Sequence, residues 1–484
     1  MSILGLDLGT SSVKALLLPE GDGVPTVASV ACAVSTPRPG WVEADPTEWA
    51  AAAAAAVRGV RAQAGGEAIG AIGLAGHMHG VVLCDATGRP VRPAITWADR
   101  RAVDALEAWR SLPADRREAL GNPLVPGMAG PLLAWLAVSE PAAPVAARWA
   151  LQAKDWLRLI LTGEAATEPS DASATLLWDL AADGWATDVA AAVGVDTDLL
   201  APMIASDAQA GVLTTAGAEL LGLAPGIPVY AGGGDTAAAL LGAGIQTAGR
   251  RLLNVGTGAQ LVTAVATPAT SPMPSTHRYR AAGAGWYAMG AVQNAGLALG
   301  WARDLVGVGW EKAEAEAFAG ATAGATDPLF IPHLTGERTP LLDAGARGAW
   351  IGLALEHDRG DLLRAAYEGV AHAIRHARQA MEEEGARGSG ALRLLGGGSL
   401  RPAYRQLLAD VLGEPLELVA VADATALGAA RLAGGVTPEP TVTGVVAPEP
   451  ATAERAAERH LRYRAMVQAL AGVRGLPAAP RPTG

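Results

Sequence analysis

Lysine is scarce. Lys14, Lys154 and Lys312 are the only lysines among 484 residues, and none follows a glycine. A Gly-x-x-x-x-Gly-Lys-Ser/Thr phosphate loop is therefore excluded. Gly-x-Gly-x-x-Gly is missing too, which removes the usual flag of a dinucleotide fold. Cysteine is limited to Cys32 and Cys84, too few for a disulfide framework or a zinc-type cluster. Both read as small buried hydrophobes in a reducing compartment. Positive charge is in deficit: 37 Lys and Arg face 48 Asp and Glu, a net charge of -11. A nucleic-acid binder needs a basic footprint, so that partner is not expected. Long apolar runs are lacking as well. The longest, residues 49–57, is mostly alanine and too short to cross a bilayer. Met1-Ser2 leads straight into a strand-like segment without a basic leader. A soluble, cytoplasmic protein with no membrane partner is expected. No Gly-x-Ser-x-Gly nucleophile elbow occurs either.

The chain is too long for one core and its composition, 50% hydrophobic and 18% charged, is globular. Its 60 glycines cluster, and the clusters carry the information. Residues 3–18 read as two apolar strands around a Gly9-Thr10-Ser11 turn, with Asp7 set into the first strand. Residues 252–263 repeat the pattern as Asn254-Val255-Gly256-Thr257, 247 residues after Asp7-Leu8-Gly9-Thr10. Gly232-Gly233-Gly234-Asp235 and Gly396-Gly397-Gly398-Ser399 each follow a strand and precede a helix. Similarity at a half-chain period points to two related α/β domains. Asp45-Pro46-Thr47-Glu48 opens a helix, residues 361–384 form an amphipathic helix, and a last helix over 451–472 precedes a Pro-rich tail expected to be disordered.

Consecutive backbone N–H groups in a Gly-Thr turn can bind phosphate oxygens without a Walker lysine. Two such turns in duplicated halves could grip one polyphosphate; each could also be a plain hairpin turn. Asp7 in an apolar strand needs a partner, either a hard cation such as Mg²⁺ or an Asx turn onto Gly9 or Thr10. Asp235 is either a helix N-cap or a general base, approached closely by a substrate because three glycines precede it. His77-Met78-His79 has the His-x-His step of zinc sites but no evident third ligand, so a polar loop lining a small-molecule pocket is the better reading. Glu368, His372 and His376 fall on the polar side of their helix and read as a solvated stripe.

Taken in order, these segments resemble the FGGY carbohydrate kinases over about nine-tenths of the chain. Residues 5–14 resemble the family's first phosphate motif, residues 40–46 its GWxExDP entry, and Met78-His79-Gly80 its sugar-contacting MHG loop. Residues 97–101 (Trp97-Ala98-Asp99-Arg100-Arg101) resemble its WxDxR segment, residues 232–236 its GGGD motif, and residues 254–258 its second phosphate motif. Residues 336–340 resemble SGERTP and residues 396–399 the adenosine motif. His77 stands where the xylulose-acting members usually carry Gln, and the likeness is strongest to those members. The resemblance implies two ribonuclease-H-like α/β domains of the actin and hexokinase type, closing on a cleft. It implies a sugar-binding domain over 1–244, a nucleotide-binding domain over 245–440, and a helix with tail over 441–484. It also implies MgATP and a pentulose, D-xylulose becoming D-xylulose 5-phosphate. Asp235 would be the base. Asp7 would serve at the metal and phosphates. Met78, His79, Trp97, Asp99, Asp235 and Thr236 would lie at the sugar. Thr10, Ser11, Lys14, Gly256 and Thr257 would hold the nucleotide phosphates, with Gly397, Gly398 and Ser399 at the adenosine. A homodimer is one expectation. The rival readings are a kinase of ribulose, gluconate or a pentitol, and an actin-like ATPase.

Overall fold

The computed structural model describes residues 1–474 apart from 22, 272, 321, 322, 325, 398–400 and 435–438. The Pro-rich tail and the expected adenosine residues Gly398 and Ser399 lie outside the described residues. The chain forms two compact units. The first comprises Met1–Ala248, Ala264–Ala288 and Ala420–Thr441; the second comprises Gly249–Thr263, Met289–Val419 and Val442–Gly484.

In the first unit, the hairpin Ser2–Leu8 and Ser12–Leu18 pairs antiparallel, with Asp7 directly opposite Lys14. The strand Ile69–Gly76 returns parallel to Ser2–Leu8. The full order is Gln209–Val212, Pro228–Tyr230, Ile69–Gly76, Ser2–Leu8, Ser12–Leu18, Thr26–Ala31. A strand alternates its side chains between two faces. Leu4, Leu6 and Leu8, with Val13, Ala15 and Leu17, therefore share one core with Trp49, Val57 and Val60 of the helix Pro46–Gln63. Asp45 caps that helix by accepting from Thr47 N at 2.8 Å. Gly5, Asp7, Lys14, Leu16 and Leu18 point to the opposite face, where Leu16 and Leu18 meet Ala426, Leu427 and Ala430 of the helix Ala424–Leu432.

That second face is built for close approach. A Cβ on Gly5 would stand 2.0 Å from the Ala426 carbonyl oxygen, and one on Gly73 would stand 1.8 Å from that of Ala429. The helix Asp235–Gly242 packs beside Ala424–Leu432 in the same way: a Cβ on Gly428 would meet Ala238 O at 1.8 Å. Backbone carbonyls cannot yield as a side-chain tip can, so these glycines set the helix-to-sheet distance.

The second unit repeats the plan. Its strands run Trp286–Val292, Ala259–Val265, Arg251–Val255, Leu392–Leu395, Leu416–Val419, Val442–Val446. Arg251–Val255 pairs antiparallel with Ala259–Val265 and parallel with Leu392–Leu395, which is parallel to Leu416–Val419. Both units thus carry a hairpin, a third strand on its outer side, and two parallel strands beyond its first strand: the duplicated α/β architecture the two Gly-Thr turns suggest.

The polar stripe on the helix Arg359–Glu383 departs from expectation. Glu368 and His372 are buried and His376 is half-buried. The helix Pro450–Arg474 supplies the cover. Arg459 donates to Glu368 Oε2 through Nη2 at 2.7 Å and Nε at 2.9 Å, and the His372 ring packs 5.4 Å from His460. Periodicity of one helix reports only where its apolar face lies; it cannot reveal a polar partner that covers the other face. Among the described residues, no helix is long and apolar enough to cross a membrane.

Gly73→Ala is expected to destabilise the first unit by about 2–4 kcal/mol, because the helix must lift from the sheet. Scanning calorimetry would show a lowered first transition; an unchanged thermogram would mean the helix is not held at that distance.

Candidate active site

Strand geometry assembles the first group of functional side chains. Asp7 and Lys14 are cross-strand neighbours on the glycine-lined face, and Asp423 caps the helix lying on that face by accepting from Ala426 N at 2.9 Å. Lys14 Nζ reaches Asp423 Oδ2 at 2.8 Å and stands 3.9 Å from Asp7 Oδ2. Asp7 is buried, and its Oδ1 has no hydrogen-bond partner, so no Asx turn occupies that oxygen. Burial pushes the Asp7 carboxyl up to about 8; the Asp423 and Asp235 charges add to this and Lys14 opposes it. Asp423 was not visible to sequence reasoning. Its signal is an N-cap aspartate before a helix of small residues, which is common and unspecific.

Asp235 arrives on the same unit from a different strand. Gly233 and Gly234 pair parallel with Ala75 and Gly76 at the end of the central strand Ile69–Gly76. Gly232 has φ 86°, and a Cβ there would lie 2.0 Å from Leu74 O, so both conformation and space require glycine. The N-cap of the following helix is Gly234, and Asp235 is its first residue. The plain N-cap alternative is thus not what the fold adopts. Asp235 Oδ1 instead accepts from Thr236 N at 2.6 Å and from Thr236 Oγ1 at 3.2 Å. Burial pushes its carboxyl up to about 6, against the pull of the Thr236 bonds.

The His77-Met78-His79 loop splits three ways. His77 is buried against Trp49, with ring centroids 5.2 Å apart, and burial holds its imidazole down at about 4. Met78 is buried beside Gly234, whose hypothetical Cβ would lie 2.7 Å from Met78 Cγ; the Tyr287 hydroxyl donates to Met78 Sδ at 3.6 Å. His79 takes φ 77°, and its ring has different partners from that of His77: Nδ1 lies 2.9 Å from Ala174 O, and the ring packs 5.7 Å from Tyr279. A carbonyl only accepts, so Nδ1 carries the proton. Among the described residues no group of three His, Cys, Asp or Glu side chains is placed to hold a metal.

Trp97 is half-buried and donates from Nε1 to Thr10 Oγ1 at 2.8 Å, joining the expected sugar segment to the first Gly-Thr turn. Ser11, beside it, is exposed. Asp99 is buried with both oxygens engaged: Oδ2 accepts from Val42 N at 2.6 Å, and Oδ1 from Arg101 N at 2.8 Å and Nε at 3.0 Å. Arg101 in turn stacks 3.7 Å over Trp41. Asp99 therefore ties the Trp97 segment to residues 41–43.

In the second unit, Gly256 and Thr257 are exposed at the tip of the repeated hairpin. Their carbonyls accept from the start of the helix Gly296–Leu305: Gly256 O from Gly296 N at 3.0 Å, Thr257 O from Leu297 N at 3.0 Å. Gly396 lies against the same hairpin, since a Cβ there would be 2.3 Å from Val255 O; Gly397 follows and is exposed. The second phosphate motif and the start of the adenosine motif are thus adjacent. Buried Glu337 accepts from Gln293 N at 2.6 Å and Arg338 N at 2.8 Å, tying residues 336–340 to the end of the strand Trp286–Val292.

The folded pKa of Asp7 lies above its unfolded value, so the native state keeps a proton that the unfolded chain releases. Stability contributed at this site is therefore lost as pH rises from about 4 to about 8. Asp7→Asn removes the conflict. It should stabilise the ligand-free protein by about 1–3 kcal/mol at pH 8, with the gain shrinking as pH falls towards 4. Thermal melts across that range are the check; a pH-independent difference would place the stabilisation elsewhere.

Two family models match the chain. The N-terminal domain of the FGGY family of carbohydrate kinases matches residues 2–242, and the C-terminal domain of the same family matches residues 252–435. The chain is 34% identical over 432 residues to the xylulose kinase of Escherichia coli (strain K12), covering 89% of each. It is 36% identical over 447 residues to the glycerol kinase of Thermus brockianus, again covering 89% of each. The solved xylulose kinase from Rhodospirillum rubrum has a TM-score of 0.89 at 30% identity, covering 98% of this chain and 99% of that one.

Proposed function

Since the chain belongs to the FGGY family of carbohydrate kinases, we propose that it transfers the γ-phosphoryl group of ATP to the terminal hydroxyl of D-xylulose, giving D-xylulose 5-phosphate. The substrate reading is supported by the relatives named xylulose kinase. It is supported further by the Met78-His79 loop, which stands directly against Gly234, next to Asp235.

The observation that carries the chemistry is Asp235 itself. It is a half-buried carboxylate at the mouth of a side-chain-free glycine loop, with one oxygen oriented by Thr236 and a carboxyl raised to about 6. A base in that range is ionised at neutral pH and still basic enough to take a proton from an alcohol as its oxygen attacks phosphorus. Met78 and His79 line the sugar, and Trp97, tied to Thr10 and held through the Asp99 segment, serves the same site. Thr10 and Ser11, with Lys14 beside them, hold nucleotide phosphates, and the repeated turn at Gly256 and Thr257 is read in the same way. Gly397 approaches the adenosine; its partners Gly398 and Ser399 are outside the described residues.

Asp7 suits a divalent cation. Its buried Oδ1 has no partner, and Asp423 and Asp235 crowd it with like charge. Mg²⁺ held there would offset both effects and, when bound, neutralise charge on the phosphate oxygens. Lys14 keeps Asp423 paired and leaves Asp7 as the carboxylate available to the ion.

A second reading, a polyol kinase, is favoured by the identity to the Thermus brockianus glycerol kinase. A coupled assay across D-xylulose, D-ribulose, gluconate, pentitols and glycerol separates the two: highest kcat/KM is expected for D-xylulose, and preference for glycerol would overturn the choice.

Asp235→Asn should lower kcat by about 10²–10⁴-fold while leaving nucleotide affinity within about twofold. Turnover at the wild-type rate would remove Asp235 from the role of base. The protonated carboxyl cannot accept a proton, so kcat/KM for the sugar should fall as pH drops through about 6. A profile flat down to pH 5 would contradict this assignment.

A further inference from the structure

The loop that presents Asp235 has no side chains with which to anchor itself. Three consecutive glycines lose more backbone freedom on ordering than any other residues. Their tethers come from elsewhere in the first unit. Arg158 Nη1 donates to Ala231 O at 2.8 Å. Gly232 N donates to Ser206 O at 2.9 Å. Gly234 N donates to Ser170 Oγ at 2.9 Å.

Two of these tethers converge on one carboxylate. Ser170 Oγ, which receives the Gly234 N–H, donates its own proton to Glu168 Oε1 at 2.7 Å. Ser206 Oγ donates to Glu168 Oε2 at 2.6 Å. Ser170 N and Asp171 N donate to the same carboxylate at 2.8 and 2.9 Å, and Lys154 Nζ lies 3.3 Å from Oε1. The third tether joins through the same charge cluster, because Arg158 and Lys154 both contact Asp155 Oδ1, at 2.9 and 2.7 Å. All of these side chains are buried.

Capping alone does not account for Glu168. The helix it caps, Pro169–Ala172, is a single turn. Serine or threonine would satisfy its N–H groups, whereas burying a carboxylate is costly unless every oxygen is engaged. The hydroxyl of Ser170 shows what the charge achieves: with its proton committed to Glu168, its lone pair is directed at Gly234 N.

We propose that Glu168 is a positioning residue for phosphoryl transfer, fixing the three-glycine loop through Ser170 and Ser206 and thereby the direction in which Asp235 presents its carboxylate. This rests on the reading of Asp235 as the base. The titratable groups near Asp235 and its loop are Asp7 on the first strand, Tyr287 on the strand Trp286–Val292, and Asp171, whose Oδ1 would stand 3.2 Å from a Cβ on Gly234 and whose Oδ2 is held by Lys154 Nζ at 2.8 Å.

The test uses Ser170→Ala, Glu168→Gln and Asp235→Asn in the full-length protein. Ser170→Ala is expected to lower kcat by about 10–100-fold with KM for ATP within about twofold, as loss of alignment does. A loosened loop admits water to Asp235, so the burial that raises its carboxyl relaxes. The acid limb of kcat/KM should then move to lower pH. Loss of folded protein alone would reduce the amount of active enzyme and leave that limb in place. Amide exchange over residues 228–240 should quicken in Glu168→Gln. If Asp235→Asn is inactive while folded Ser170→Ala and Glu168→Gln keep wild-type kcat and acid limb, the positioning role is overturned and the base assignment stands. If Asp235→Asn turns over normally, the base assignment falls and this role falls with it. Should Ser170→Ala not fold, Ser206→Ala keeps the carbonyl that holds Gly232 N but cuts its anchor to Glu168, and is judged by the same two readouts.

Discussion

The distance between one helix and one sheet governs the first unit. Ala424–Leu432 lies so close on the strands Ser2–Leu8 and Ile69–Gly76 that only glycine fits at positions 5 and 73. That closeness lets the helix cap Asp423 reach Lys14, and Lys14 sits opposite Asp7 because of the hairpin register. One methyl group at either glycine would lift the helix and part these charges. The electrostatics of the site therefore depend on a packing constraint, not on the charges alone.

The site is also unfavourable to the fold that carries it. Asp7 and Asp235 both keep carboxyls raised by burial, in a region already holding Asp423. Such strain persists only when the surroundings over-determine it. Here they do so twice: the glycine-set helix contact holds Asp7, and the tethers to Arg158, Ser206 and Ser170 hold the loop before Asp235. A carboxyl so raised favours whatever neutralises it, a proton or a cation.

Much of this was legible in the residues. Alternation in residues 3–18 placed Asp7 in a hairpin, and the repeat at Asn254 announced the duplicated architecture. Gly232-Gly233-Gly234 declared a backbone that something must approach, although Asp235 proved to be the first helical residue and Gly234 the cap. Three things were not legible. Asp423 lies more than 400 residues from Lys14, and no local pattern encodes that pairing. Glu168 and Lys154 look like ordinary helix-surface charges until the tertiary fold buries them together. His372 and Glu368 were misread as solvated, because a helix covered by a polar neighbour has the same periodicity as one facing water.

The segment Ala420–Thr441 belongs to the first unit, yet it follows most of the second in sequence. A ribosome releases it only after Met289–Val419 of the second unit. Until then the sheet face bearing Gly5, Gly73 and Lys14 has no cover, and an emerging chain cannot complete its first half before most of its second half has been made. Chains of this topology gain little from folding domain by domain during synthesis; the closing contact is one of the highest sequence separation, and its formation is set by loop-closure entropy over some 400 residues.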